Sequence, residues 1–155
     1  MRKFLLLLVA LLPLVACKGY QDPYMSQESF GVRMNVNGDK LLMFSDLRVF
    51  YTTSEENACT FSFQGNFYAS AGSYKDSRKL VLKLSDTAPI VSGKKYTLEG
   101  GSAKLDEDAS LNGWILFNRF DLEAETLEAS FELTSATNTI KHGFMRVKFS
   151  KFSIN

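Results

Sequence analysis

The sequence predicts an all-β domain over residues 30–155, an antiparallel β-sandwich or, in the alternative, a small closed β-barrel. Three observations predict it. Apolar residues recur at every second position in one segment after another, turn-forming residues bound those segments, and no window carries a helical period.

Taken in order, Val32, Met34 and Val36 alternate with Arg33 and Asn35. Asn37-Gly38 follows; this dipeptide readily accepts two positive φ angles, so a tight hairpin turn is expected there. Leu41 to Phe44 form the return strand, and Leu47, Val49 and Tyr51 alternate with Arg48, Phe50 and Thr52. Phe61 and Phe63 lead to Gly65, then Phe67 and Ala69 resume. Leu80, Leu82 and Leu84 alternate with Val81 and Lys83; Tyr96 to Leu98 form a short strand, and Trp114 to Phe117 a short apolar run after Asn112-Gly113. The cleanest alternation is Leu127, Ala129, Phe131 and Leu133 against Glu128, Ser130 and Glu132. Met145, Val147 and Phe149 then alternate with Arg146 and Lys148. These last two segments are expected to pair across a loop from Ser135 to His142, with Glu128 and Glu132 facing Arg146 and Lys148. Phe152 and Ile154 fall on the opposite parity, and an extra residue near Ser150-Lys151, a β-bulge, would return them to the inner face.

The N-terminus reads differently. Arg2 and Lys3 form a basic start, and Phe4 to Leu12 an unbroken apolar run, too short to span a bilayer. Leu14-Val15-Ala16-Cys17 follows and resembles the lipobox of bacterial lipoproteins. The resemblance implies that residues 1–16 are a cleaved signal peptide and that Cys17 becomes the first residue, carrying diacylglycerol and acyl (palmitate-type) lipid. Two or more chains hold a protein firmly to a bilayer, at about 0.8 kcal/mol per buried CH₂. Lys18 stands where inner-membrane lipoproteins often carry Asp, so the resemblance implies the outer membrane. Residues 17–29 then read as the lipidated Cys and a polar, aperiodic tether.

Composition narrows the function classes. Arg2 and Lys3 account for two of the 18 basic residues, so residues 17–155 hold 16 basic against 17 acidic, a balance of −1. Nucleic-acid binding wants a basic face, so no nucleic acid is expected as partner. With Cys17 consumed by lipid, Cys59 stands alone, and it falls in phase with Phe61 and Phe63 as a small buried hydrophobe. No disulfide within the chain and no cysteine-based metal site follow from that count.

Several phrases occur together behind the lipobox: Phe30 to Asp39 (FGVRMNVNGD), Gly93 to Leu98 (GKKYTL), Leu127 to Leu133 (LEASFEL) and Gly143 to Phe149 (GFMRVKF). In this order the chain resembles small outer-membrane lipoproteins of Bacteroidota-type bacteria, built on a β-rich domain of unknown function. The resemblance implies a cell-envelope location and brings no catalytic residues with it. It departs at Ala129-Ser130-Phe131, where many such sequences have Gly-Thr-Phe.

The residues with chemistry are few. His142 is the sole histidine, beside Gly143 in an expected hairpin loop, and no Gly-x-Ser-x-Gly frames a serine. Asp106-Glu107-Asp108 is the densest acidic cluster; Asp106 and Asp108 are the only candidates offered to a hard cation, and their spacing does not match an EF-hand loop. No metal or other cofactor is therefore expected. Phe50, Tyr68, Phe117 and Phe120 fall off the inward parity, and with Trp114 they form a candidate set for stacking on a sugar or a partner protein. The expectation is a non-catalytic binding or accessory lipoprotein, its partners a membrane through the anchor and an envelope protein or glycan. The alternatives are a lipocalin-like carrier of a small apolar ligand and a glycan-acting hydrolase using a carboxylate pair.

Overall fold

The computed structural model describes residues 31–54, 56–69 and 77–154. The expected signal peptide, Cys17 and the expected tether lie outside the described residues. Nine strands follow one another: β1 (Gly31–Val36), β2 (Asp39–Ser54), β3 (Cys59–Ala69), β4 (Arg78–Asp86), β5 (Lys95–Leu105), β6 (Asp108–Asp121), β7 (Thr126–Thr134), β8 (Thr139–Lys148) and β9 (Ser150–Ile154). The predicted all-β class is the class found.

The strands form one mixed sheet in the order β1-β8-β7-β6-β5-β4-β3-β2-β9, and β1 also pairs with β2. The first eight strands are thus an antiparallel meander whose ladder returns to its start through β1, the barrel-like end of the expected range. β2 explains why a ninth strand is needed. Its 16 residues far outrun the six of β1, so β1 covers only Asp39 to Leu42, and β9 runs parallel along Phe50 to Ser54. An unpaired strand edge would otherwise leave backbone donors and acceptors without partners. The two segments expected as separate strands, Leu41 to Phe44 and Leu47 to Tyr51, are parts of this one strand, bent by register shifts near Ser45.

Period-two burial is retained along the sheet, strictly so in β1 and through most of β7. The inner face carries Phe61, Phe63, Phe67, Leu80, Leu82, Leu98, Phe117 and Phe131, all essentially sealed from solvent. Aromatic rings meet across this interior: Phe61 and Phe117 edge to face at 5.2 Å, Tyr51 against Phe120 at 5.0 Å, and Phe120 stacked on Phe149 at 5.0 Å. Each such pair adds about 0.5–1.5 kcal/mol beyond its buried area.

Three sequence expectations are corrected here. His142 is not in a loop: the β7–β8 turn is only Ser135 to Asn138, and His142 sits within β8 at φ +53°, where the ladders to β7 and β1 both shift register. Its neighbour Gly143 is forced, because a Cβ there would lie 2.5 Å from the Phe131 ring and 2.6 Å from the Phe131 carbonyl oxygen. The phase slip after Phe149 is a change of partner, from β7 to β2, and Phe152 is not returned inward; it faces solvent beside Phe50. Phe117 alternates inward with Ile115 and is fully buried, because it is Trp114 and Leu116 that take the outer face of β6.

Candidate functional site

The turns β1–β2, β5–β6 and β7–β8 gather at one end of the sheet, here called the distal rim. Asn37 (φ +52°) and Gly38 (φ +96°) form the predicted tight turn. The Asn37 amide N–H donates to the Thr139 carbonyl at 2.9 Å, and the Thr139 N–H donates to Asn37 Oδ1 at 2.8 Å. Asn37 Nδ2 donates to Asn138 Oδ1 at 3.3 Å, and Arg78 Nη2 donates to the same oxygen at 3.2 Å. Asn138 Nδ2 in turn donates to Asp108 Oδ2 at 2.7 Å. One asparagine therefore links a carboxylate, a guanidinium and a neighbouring turn.

Asp108 is the hub. Its Oδ1 accepts from the Ser110 hydroxyl at 2.6 Å and the Ser110 N–H at 3.0 Å. Its Oδ2 also accepts from Ser135 Oγ at 2.6 Å and Thr137 Oγ1 at 3.1 Å. The donated bonds of Ser110, Ser135 and Asn138 hold its carboxyl well below the usual carboxylate range. Asp106 faces other partners: it pairs with Arg78 and accepts the Lys79 N–H at 2.7 Å. The two carboxylates offered to a cation are thus separately engaged, and no group of three metal-ligating side chains occurs among the described residues.

Beside this network opens a cleft of about 410 Å³, lined by Asn35, Asn37, Gly38, Thr139, Lys141 and His142. Its side chains are an ammonium, an imidazole, two amides and a hydroxyl. This set hydrogen-bonds to acceptor-rich ligands such as carbohydrate hydroxyls or peptide carbonyls. Among the described residues, the lining of the cleft holds no carboxylate. The bulge that holds His142 in the left-handed region is a backbone conformation often kept at ligand sites. Sequence reasoning missed this cleft, because Asn35 and Lys141 meet only through the β1–β8 ladder. The signal within reach was the pair of special dipeptides, Asn37-Gly38 and His142-Gly143.

The aromatic candidates do not form one surface. Trp114 is half-buried on the outer wall at β6, with Lys95 Nζ 4.1 Å from its ring centre and Thr97 and Glu132 directly across on β5 and β7. Phe50 is exposed on β2, its ring 5.9 Å from that of Phe152. Tyr68 is half-buried near the distal end of β3. Phe120 packs against the core, and Phe117 lies within it, which removes Phe117 as a surface stacking residue.

A second cleft of about 380 Å³ lies at the other end, lined by the hydroxyls of Thr52, Thr53, Ser54, Thr60, Ser85 and Thr87 together with Cys59 and Asp86. Cys59 is buried, as its strand phase predicts, and its thiol donates to the Ala88 carbonyl at 3.1 Å. The Lys94 ammonium, bonded to Asp86 at 3.3 Å, lowers the Asp86 carboxyl below its ordinary range. No helix among the described residues is long and apolar enough to cross a membrane.

In comparisons with protein-family models, curated proteins and solved structures, none matches this chain.

Proposed function

We propose that this chain is a non-catalytic binding or accessory module, held at the outer membrane of the cell envelope by lipid on Cys17, and that its distal rim meets the partner. The observation that carries the reading is the rim cleft. It is a preformed concave surface rich in hydrogen-bond donors on paired strands, next to a network that locks three turns together. Sites built on strands and braced by satisfied hydrogen bonds suit recognition, since little order has to be created on binding. The interior favours this reading over an apolar carrier, because the inner face is occupied by packed rings and aliphatic side chains. The small-lipoprotein resemblance agrees with a tethered module, as tethering raises effective concentration at a surface.

The test is a glycan array and an envelope-protein array probed with the mature protein, alongside a hydrolase screen. Binding that falls at least tenfold in His142→Ala or Lys141→Ala, with the fold intact, is the expected result; Trp114→Ala reports separately on the outer wall. Turnover abolished by a single Asp, Glu, Ser or His substitution that leaves the fold intact would overturn the reading.

A further inference from the structure

At the end opposite the distal rim, four large apolar side chains are turned to solvent. Val91 is 56% exposed, Phe152 51%, Phe50 39% and Leu122 37%. They come from four distant stretches of sequence and share one end of the fold. Lys151 Nζ bonds the Leu122 carbonyl at 3.3 Å, which sets β9 and Phe152 beside the β6–β7 turn. The Phe120 N–H donates to Ser92 Oγ at 2.8 Å, which sets the Val91 loop beside the same turn. Phe152 lies against Phe50. Scattered apolar residues on a surface need no explanation, but a group gathered at one end marks an interaction site.

The path of the chain says which. Gly31 pairs with Arg146, and β1 runs from there to Val36 beside Ile140, away from the apolar end. The described chain therefore begins, at Gly31, on the apolar side. The fourteen residues 17–30 reach at most about 45–50 Å when extended, so a lipid on Cys17 would hold the start of β1, on the apolar side, within that distance of the bilayer.

We propose that Val91, Leu122, Phe50 and Phe152 form a docking surface for the lipid bilayer itself, so that the domain lies with this end on the membrane and the distal rim pointing away. The inference rests on the lipid-anchor reading above. The two Phe rings and the two aliphatic side chains enter the headgroup–acyl boundary together, as the apolar faces of interfacial segments do. Two exposed cations here are paired with acids, Lys94 with Asp86 and Arg119 with Asp121, while the Lys151 ammonium is turned to the Leu122 carbonyl, so the contact is mainly apolar.

The experiment uses the lipidated mature protein in phosphatidylcholine vesicles, with and without dibrominated phosphatidylcholine, which quenches indole fluorescence on contact. A Phe152→Trp substitution in a Trp114→Phe background puts the only indole at the docking surface; Leu122→Trp in the same background serves if that variant fails to fold. Loss of fluorescence on bromolipid is expected for either variant. Native Trp114, four strands away from β2 in the sheet order, keeps its fluorescence. An unquenched indole at both positions overturns the proposal. So does a dimer of the native protein in detergent that Phe152→Ser dissolves, since that gives the surface to a second copy. Intact mass of the vesicle-bound protein separates the two readings. Acylated protein without quenching ends the docking proposal alone, whereas protein without acyl mass ends the anchor reading as well.

Discussion

Asp108 shows how one side chain organises the distal rim. Its lowered pKa comes from the Ser110, Ser135 and Asn138 donors, which favour the ionised form in the folded chain. The stability it contributes is therefore present above the acidity of an unfolded Asp, about pH 3.9, and is lost as pH falls from there through its folded value. Asp108→Asn is expected to lower Tm at neutral pH, with the gap to the native protein closing towards pH 3; a gap that stays constant would show that the charge is not what binds these turns. Tyr51 is the converse case. Its hydroxyl is sealed in the core beside Cys59 and the Ile90 backbone, yet makes no hydrogen bond of good geometry. Burial first, then the neighbouring Cys59 thiol, pushes its pKa up to about 12. A buried hydroxyl without a partner costs about 1–3 kcal/mol, so Tyr51→Phe should leave Tm unchanged or raise it, as calorimetry can show. Phe117 and Trp114 separate core from surface: Phe117→Ala should cost about 3–5 kcal/mol, and Trp114→Ala much less, in matched denaturant titrations. Sequence parity put Phe117 on the wrong face, because an apolar run of four residues offers no polar marker to fix its phase.

Among the elements, β7 and β8 were the most legible. Strict alternation of charged and apolar residues set the register, and Glu128 stands opposite Arg146 in an ion pair with Nε–Oε1 at 2.6 Å. Such a cross-strand pair contributes about 0.2–1 kcal/mol and mainly selects register. Glu132, by contrast, lies across from Trp114, and Lys148 from Thr126. The antiparallel register is the reason: with Glu128 opposite Arg146, Lys148 falls opposite Thr126, and Glu132 falls where the β8 bulge at His142 shifts the ladder. That bulge yields a sharp prediction. Gly143→Ala drives a methyl into the Phe131 ring and backbone, so it should destabilise the domain by several times the roughly 1 kcal/mol of an ordinary point substitution and disturb the His142 cleft. A variant of native stability would mean that the bulge relaxes freely. β9 was illegible for a different reason. Five residues pairing in parallel with a strand some hundred positions earlier leave no local trace, since parity reports burial and not the identity of the neighbour.

On the scale of the whole molecule, all-β character followed from period and turns, while closure through β1 did not, because it depends on how far the sheet curls. The distal cleft was hidden for the same reason: it is assembled from residues 35–38 and 139–142, which only closure brings together. Cys59 offers a probe of closure. Buried at the start of β3 with its thiol bonded to Ala88, it should react with a bulky thiol reagent only as fast as the sheet opens, and labelling should quicken in step with denaturant. Rapid labelling of the native protein would contradict a closed core at that end. The two ends also differ in surface, with exposed apolar side chains at the end where β1 begins and a hydrogen-bonding rim away from it. That polarity gives a function only if the tether ends in lipid. The most direct measurement is therefore the intact mass and N-terminal residue of the protein taken from its native membrane. A chain beginning at Cys17 and carrying diacylglycerol and acyl mass is the predicted result; a chain beginning elsewhere, or an unmodified Cys17, would contradict the account.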